Sequence, residues 1–113
     1  MPVELRYEKC CLTALLSGEI DHHSAAFLRG EIDAALARLH PPLLCLDFDG
    51  VTFMDSSAVG LVMGRYKYLR GFDGALEVVN LSPAAYRMMR LSNLQSLAKL
   101  AQKQPEKREK VQP

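Results

Sequence analysis

The sequence predicts an α/β fold: one small domain over residues 1–101, a mixed β-sheet of about four strands with helices packed against it, then a basic, solvated tail over residues 102–113. Three observations lead there. Short apolar or alternating runs take turns along the chain with longer runs whose apolar residues recur at helical spacing. Turn and cap residues, Gly18, Pro41-Pro42, Gly71 and Ser82-Pro83, fall at the joints between them. With 113 residues, 49% hydrophobic and 24% charged, the chain has material for one core and not for two.

Residues 3–7 set Val3, Leu5 and Tyr7 against Glu4 and Arg6, the period-2 pattern of a half-buried strand. CCLTALLSG continues as a second strand, and Glu8-Lys9 between the two suits a hairpin turn, although without an Asn-Gly signal. Over residues 22–40, Leu28, Ile32, Ala35, Leu36 and Leu39 share one helical face with Arg29, Glu31, Asp33 and Arg38 off it. Asp21 supplies the N-cap and Pro41-Pro42 the stop.

LLCLDF is nearly continuous in apolar character, which is how a central strand covered on both faces reads. A second helix follows over residues 56–70 with Val59, Val62, Met63, Tyr66 and Leu69 as its buried stripe, and Gly71 ends it. GALEVVNL is a strand, and SPAAYRMMRLS a helix capped by Ser82 with Pro83 at its first position. LQSLAKLAQK, with Leu94, Leu97, Ala98, Leu100 and Ala101, reads as a final helix. The predicted order is therefore ββαβαβαα, with helical crossovers joining the inner strands.

Charge and cysteine usage narrow the function classes. From Lys99 onward there are five Lys/Arg against two Glu, while residues 1–98 carry nine against eleven, so the folded part offers no nucleic-acid footprint. Cys10, Cys11 and Cys45 are odd in number and lack C-x-x-C spacing, which disfavours a disulfide framework or a zinc site and suits a reducing cytoplasm. No apolar run approaches the roughly 20 residues that span a bilayer, and the N-terminus lacks a signal-peptide pattern. His22 and His23 have no third ligand at helical spacing and read as solvent-facing.

The chemistry concentrates in VTFMDSSAVG, residues 51–60. Asp55, Ser56 and Ser57 stand where a helix begins and several amide N–H groups lack intrahelical acceptors. Asp55 or Ser56 serves as the cap, and one cap does not need three polar residues. A spare hydroxyl at that point can carry a phosphate, which would gain amide donors and the favourable end of the helix dipole.

LLCLDFDGV also matches the strand plus D-x-D-G motif of haloacid dehalogenase phosphatases, with Asp47 as nucleophile, Asp49 as acid/base and magnesium between them. That alternative needs a downstream lysine and a later acidic pair; after Asp55 the only acidic residues are Asp73, Glu77, Glu106 and Glu109. A serine hydrolase is disfavoured because MDSSA is not G-x-S-x-G and no histidine follows Ser57.

The segments SGEIDHHSA, LDFDGVTFMDSSAVGLVMGRYK, VVNLSP and LSNL together resemble the STAS domain family, the sulphate transporter and anti-sigma factor antagonist domains, over residues 5–94. Within it, DHHSA, FMDSS and GRYK resemble the sporulation anti-sigma factor antagonists. The resemblance implies a STAS-like domain that is a switch and no enzyme, needing no cofactor or metal. Its unmodified form would bind an anti-sigma factor that is also a serine kinase and so release the sigma factor. The kinase would then phosphorylate the second serine of the motif, and a serine phosphatase would restore it. Carried over by residue, Ser57 is the acceptor, and Asp21, Asp55, Ser56, Ser57, Ala58 and Gly60 form the docking surface. The setting implied is cytoplasmic, without nucleic acid or membrane. A STAS module serving another regulatory complex is the remaining alternative. Two positions depart from the family pattern, Ala58 and Asn93, where Gly is usual. Alanine there would fill space that a close-approaching backbone uses, whereas asparagine tolerates the left-handed conformation. Gly60 and Gly64 are expected to allow close helix packing or a flat face toward a partner, and Arg65 and Lys67 to be solvated charges or to meet an acidic partner.

Overall fold

A computed structural model describes residues 2–105. The elements run β1 (Val3–Glu8), β2 (Cys11–Ile20), α1 (His22–Leu39), β3 (Leu43–Met54), α2 (Ser57–Arg70), β4 (Ala75–Leu81), α3 (Pro83–Leu91), a single 3₁₀ turn (Leu94–Ser96) and β5 (Lys99–Gln102). The strands form one sheet in the order β1-β2-β3-β4-β5, antiparallel between β1 and β2 and parallel thereafter. The predicted central strand is central, and the sheet has one strand more than expected.

The helices cover one face of this sheet. Leu12, Ala14 and Leu16 of β2, Leu44, Leu46 and Phe48 of β3, and Leu76 and Val78 of β4 are buried beneath them with Leu28, Ile32, Leu36, Val62, Leu69 and Met89 of the helices. The alternate residues Thr13, Leu15, Cys45, Asp47, Glu77 and Val79 remain half-exposed. The near-continuous run LLCLDF is thus covered by helices on one face only. Its second face is apolar enough to hide the period, through Leu43 and Cys45.

Burial of alternate β2 residues fixes the register, because a slip by one would turn the whole set outward. Glu8 consequently pairs with Cys11, and the hairpin turn is Lys9-Cys10, one residue beyond the expected Glu8-Lys9. Both turn residues have positive φ, 50° and 63°, as a two-residue hairpin turn of type I′ demands even without Asn or Gly. Further along β2 the pairing with β3 shifts twice, between Leu15 and Ser17 and between Gly18 and Glu19. Gly18 takes the shift at φ 81°. On β3, Gly50 pairs with Ser17, and a Cβ there would lie 2.9 Å from the Leu16 carbonyl oxygen, so only glycine lets the strands approach at that point.

Two helical expectations change. The buried face of α2 is Ala58, Leu61, Val62, Arg65 and Leu69, with Val59, Met63 and Tyr66 on its flank. Arg65 is only 4% exposed, so it is no solvated charge. Its Nη2 donates to Asp33 Oδ2 of α1 at 3.2 Å and its Nη1 to the Leu61 carbonyl at 3.3 Å, while Nε stands 2.8 Å from Oδ1 without hydrogen-bond alignment. Placing that charge outside made the apolar stripe look rotated by one residue. Second, LQSLAKLAQK is not a helix. Asn93, at φ 61°, ends the preceding helix in the left-handed conformation; Leu94 enters the core, and residues 99–102 pair with β4. The ladder continues to Gln102 beside Leu81, and the Lys103 amide donates to the Leu81 carbonyl at 2.8 Å, beyond the expected domain edge at 101. The rest of the predicted tail, residues 106–113, lies outside the described residues. Gly71 ends α2 as expected but with φ −66°, so its conformational freedom is not used.

Candidate functional site

The first signal of the site is the local chemistry of two helix starts. Asp21 caps α1: its Oδ1 accepts from the Ser24 amide at 2.9 Å, and Ser24 Oγ accepts from the Asp21 amide at 2.9 Å. This capping box satisfies two backbone donors reciprocally. Ser24 Oγ also donates to the Glu19 carbonyl at 2.9 Å, tying the helix start to the end of β2. The Ser24 amide holds the Asp21 carboxyl below its ordinary value, helped by the Ser24 hydroxyl against some desolvation. Ser24 escaped the sequence reading, although Asp21-x-x-Ser24 has the capping-box spacing.

At α2 the choice between Asp55 and Ser56 resolves in favour of the aspartate. Asp55 Oδ1 accepts from the Ser57 amide at 2.8 Å, whereas Ser56, at φ −65° and ψ −11°, makes no side-chain cap bond. The Ser56 carbonyl accepts from Val59 and Gly60, opening the helical ladder. Ser56 is exposed, Ser57 half-buried at the first helical position, and both stand at the positive end of the helix dipole.

Parallel pairing brings the two starts together. Ile20, the last residue of β2, is in register with Met54, the last of β3, and the Asp55 amide donates to the Ile20 carbonyl at 3.2 Å. Asp21 and Asp55 therefore leave neighbouring strands side by side, at one edge of the sheet. Phe53, paired with Glu19 and 56% exposed, belongs to the same edge and was not foreseen, because an aromatic in a strand ordinarily signals core.

Ala58 does not belong to that surface. It is fully buried, so its methyl contacts the core, and the replacement of the usual glycine bears on packing beneath the site. Gly60 is exposed, and a Cβ there or on Gly64 would meet nothing within 4 Å, which removes close packing as their reason. His22 and His23 are exposed with ring centroids 6.1 Å apart.

The D-x-D-G segment lies inside β3, not past its end. Asp47 pairs in the ladder with Leu15 and Val79, its Oδ1 accepts from Asn80 Nδ2 and the Asp49 amide, each at 2.9 Å, and Asp49 ion-pairs with Lys103 at 2.7 Å. Among the described residues no group of three or more His, Cys, Asp or Glu side chains is placed to hold a metal, and no helix is long and apolar enough to cross a membrane.

Comparison with known proteins gives a consistent result. The anti-sigma F factor antagonist of Paenibacillus polymyxa is 32% identical over 94 residues, 83% of this chain and 80% of that protein. The solved structure of the anti-sigma factor antagonist SpoIIAA in its unphosphorylated form superposes with a TM-score of 0.76 at 30% identity, over 88% of this chain and 87% of that one. The phosphorylated form of the Bacillus cell fate determinant SpoIIAA gives 0.70 at 30% identity, over 88% and 90%. The STAS domain description itself matches residues 5–106, and by that match across nearly all of the described residues the chain belongs to the STAS domain family.

Proposed function

We propose that this chain is an anti-sigma factor antagonist: unphosphorylated, it binds an anti-sigma factor that is also a serine kinase and releases the sigma factor; phosphorylated on Ser57, it lets go. The observation that carries the reading is the pairing of Ile20 with Met54, which sets Asp21 and Asp55 side by side beyond the ends of β2 and β3, with Ser57 opening the adjoining helix. A phosphoserine brings roughly −1.5 to −2 charges at neutral pH. Helix-terminal amides and the dipole accommodate that charge within the chain, while a partner surface packed against a neutral hydroxyl is repelled by it. The switch then needs no change of fold. Asp21, Asp55, Ser56 and Gly60 surround the acceptor as the docking surface, a serine phosphatase resets it, and the exchange takes place in the cytoplasm.

The test uses the purified chain with the anti-sigma kinase of its own host and ATP. Ser57→Ala should abolish phosphate incorporation and leave partner binding largely intact, since a lost hydroxyl removes no large contact. Ser57→Asp should weaken binding, incompletely, because one carboxylate carries less charge than a phosphate. Phosphate recovered on Ser56, or undiminished labelling of Ser57→Ala, would refute the assignment.

A further inference from the structure

The D-x-D-G motif plays no part in that switch, yet its carboxylates organise a polar network. Asn80 reaches Asp47 from a left-handed backbone, φ 60°, at the point where β4 slips out of register with β5 between Val78 and Leu81. Asparagine adopts this conformation more readily than other residues with a side chain, and here it turns the Asn80 amide onto the Asp47 carboxylate.

Beside the network lies a cleft of about 400 Å³ between the second half of β3 and the first turns of α3. Phe48, Val51, Phe53, Met54, Ala85 and Met88 make its walls apolar. Its polar groups are few, and three of them, Asp49, Asn80 and Lys103, belong to the network or extend it. Volume, apolar walls and a few convergent polar groups are the marks of a small-molecule site. Its position at the carboxyl ends of parallel strands is where open α/β sheets take ligands.

Charge sets the ligand class. The Lys103 ammonium and the Asp49 carboxylate are 2.7 Å apart and offset each other, and Asp47 adds a negative charge behind them. An anion gains nothing net from that edge. A neutral head that both donates and accepts a hydrogen bond can satisfy the carboxylate, the amide and the ammonium together.

We propose that this cleft binds a small uncharged amphiphile, an aromatic or short aliphatic body bearing one hydroxyl, amide or amine N–H. Asp21, Asp55, Ser56 and Ser57 do not line it, while Phe53, on the same sheet edge as Asp21 and Asp55, does, so the cleft adjoins the switch without containing its acceptor. The test titrates the full chain with N-phenyl-1-naphthylamine, which fluoresces in apolar surroundings, and in parallel with 8-anilino-1-naphthalenesulfonate, the same skeleton with an anionic group. The neutral probe should bind saturably, one per chain, and about ten-fold or more tighter than the sulfonate. Amide shifts in NMR spectra should centre on residues 48–54 and 84–88. Ala84→Trp, at an exposed position of the cleft wall, should weaken the neutral probe at least about ten-fold with the thermal midpoint unchanged. Asn80→Gly, which keeps the left-handed backbone and deletes the amide, should weaken it about three-fold or more. Absence of saturable binding, undiminished binding in both variants, or a sulfonate bound as tightly as the neutral probe would overturn the proposal.

Discussion

Ser56 and Ser57 are adjacent hydroxyls with unlike surroundings: one exposed and uninvolved in capping, the other half-buried with its amide held by Asp55. Deleting that acceptor leaves an orphan N–H, so Asp55→Ala should lower stability by about 0.5–2 kcal/mol. An unchanged denaturant midpoint would show that the 2.8 Å bond does not support the helix. Asp21 yields a pH prediction. Its carboxyl is held below the ordinary value, so its contribution is complete at neutral pH and is lost as pH falls through the lowered folded value, beneath about 4. Asp21→Asn caps about as well, and should leave neutral-pH stability nearly unchanged while flattening the acid limb of the stability profile. The same substitution removes a charge from the proposed docking edge and should weaken partner binding more than folding. Cys45 behaves differently: burial, with smaller effects from Cys11, Glu77 and Asp47, pushes its thiol up to about 11. The thiolate is the nucleophile, so iodoacetamide near pH 7.5 should leave Cys45 unmodified while the exposed Cys10 reacts, as peptide mass spectrometry would read.

Among the elements, α1 and α2 are joined by a pair that the sequence concealed. Burial pulls the Arg65 guanidinium below its ordinary value and pushes the Asp33 carboxyl above its own, and each charge only partly restores the other. A buried cation stripped of its counter-ion is costly, so Asp33→Ala should destabilise by about 3 kcal/mol, whereas Arg65→Met, which removes the charge and keeps the volume, should be nearly neutral. Equal losses in urea melts would mean that packing matters here more than charge. The same pair explains why helical spacing located α2 but misplaced its face: a charge in the core is invisible to a search for apolar periodicity. At the C-terminus the failure was one of length. Leu94, Leu97, Ala98 and Ala101 satisfy helical spacing over a stretch too short to arbitrate, and pairing with β4 decides it. Cap chemistry, being local, was legible: Asp21 and Ser82 cap as their types and positions imply. The adjacency of Asp21 and Asp55 was not, because it depends on a register between strands far apart in the chain.

For the whole molecule, β5 closes the sheet beside β4, whose Leu76 and Val78 are buried. A chain ending at Ala98 would turn β4 into an edge strand and expose a row of unpaired backbone groups next to apolar side chains. It should melt at lower temperature and scatter light on standing; an unaltered melt would assign β5 no part in stability. A broader consequence follows from the way Ile20 and Met54 end together. The spacing between the two halves of the proposed docking edge is held by main-chain hydrogen bonds, which every residue type except proline can make. Apart from the capping side chains of Asp21, Ser24 and Asp55, residues on that edge are thereby released from any duty to hold its geometry. Duplicated copies of such a domain in one cell can diverge in partner choice by surface substitutions alone, each addressing its own regulator on an unchanged frame.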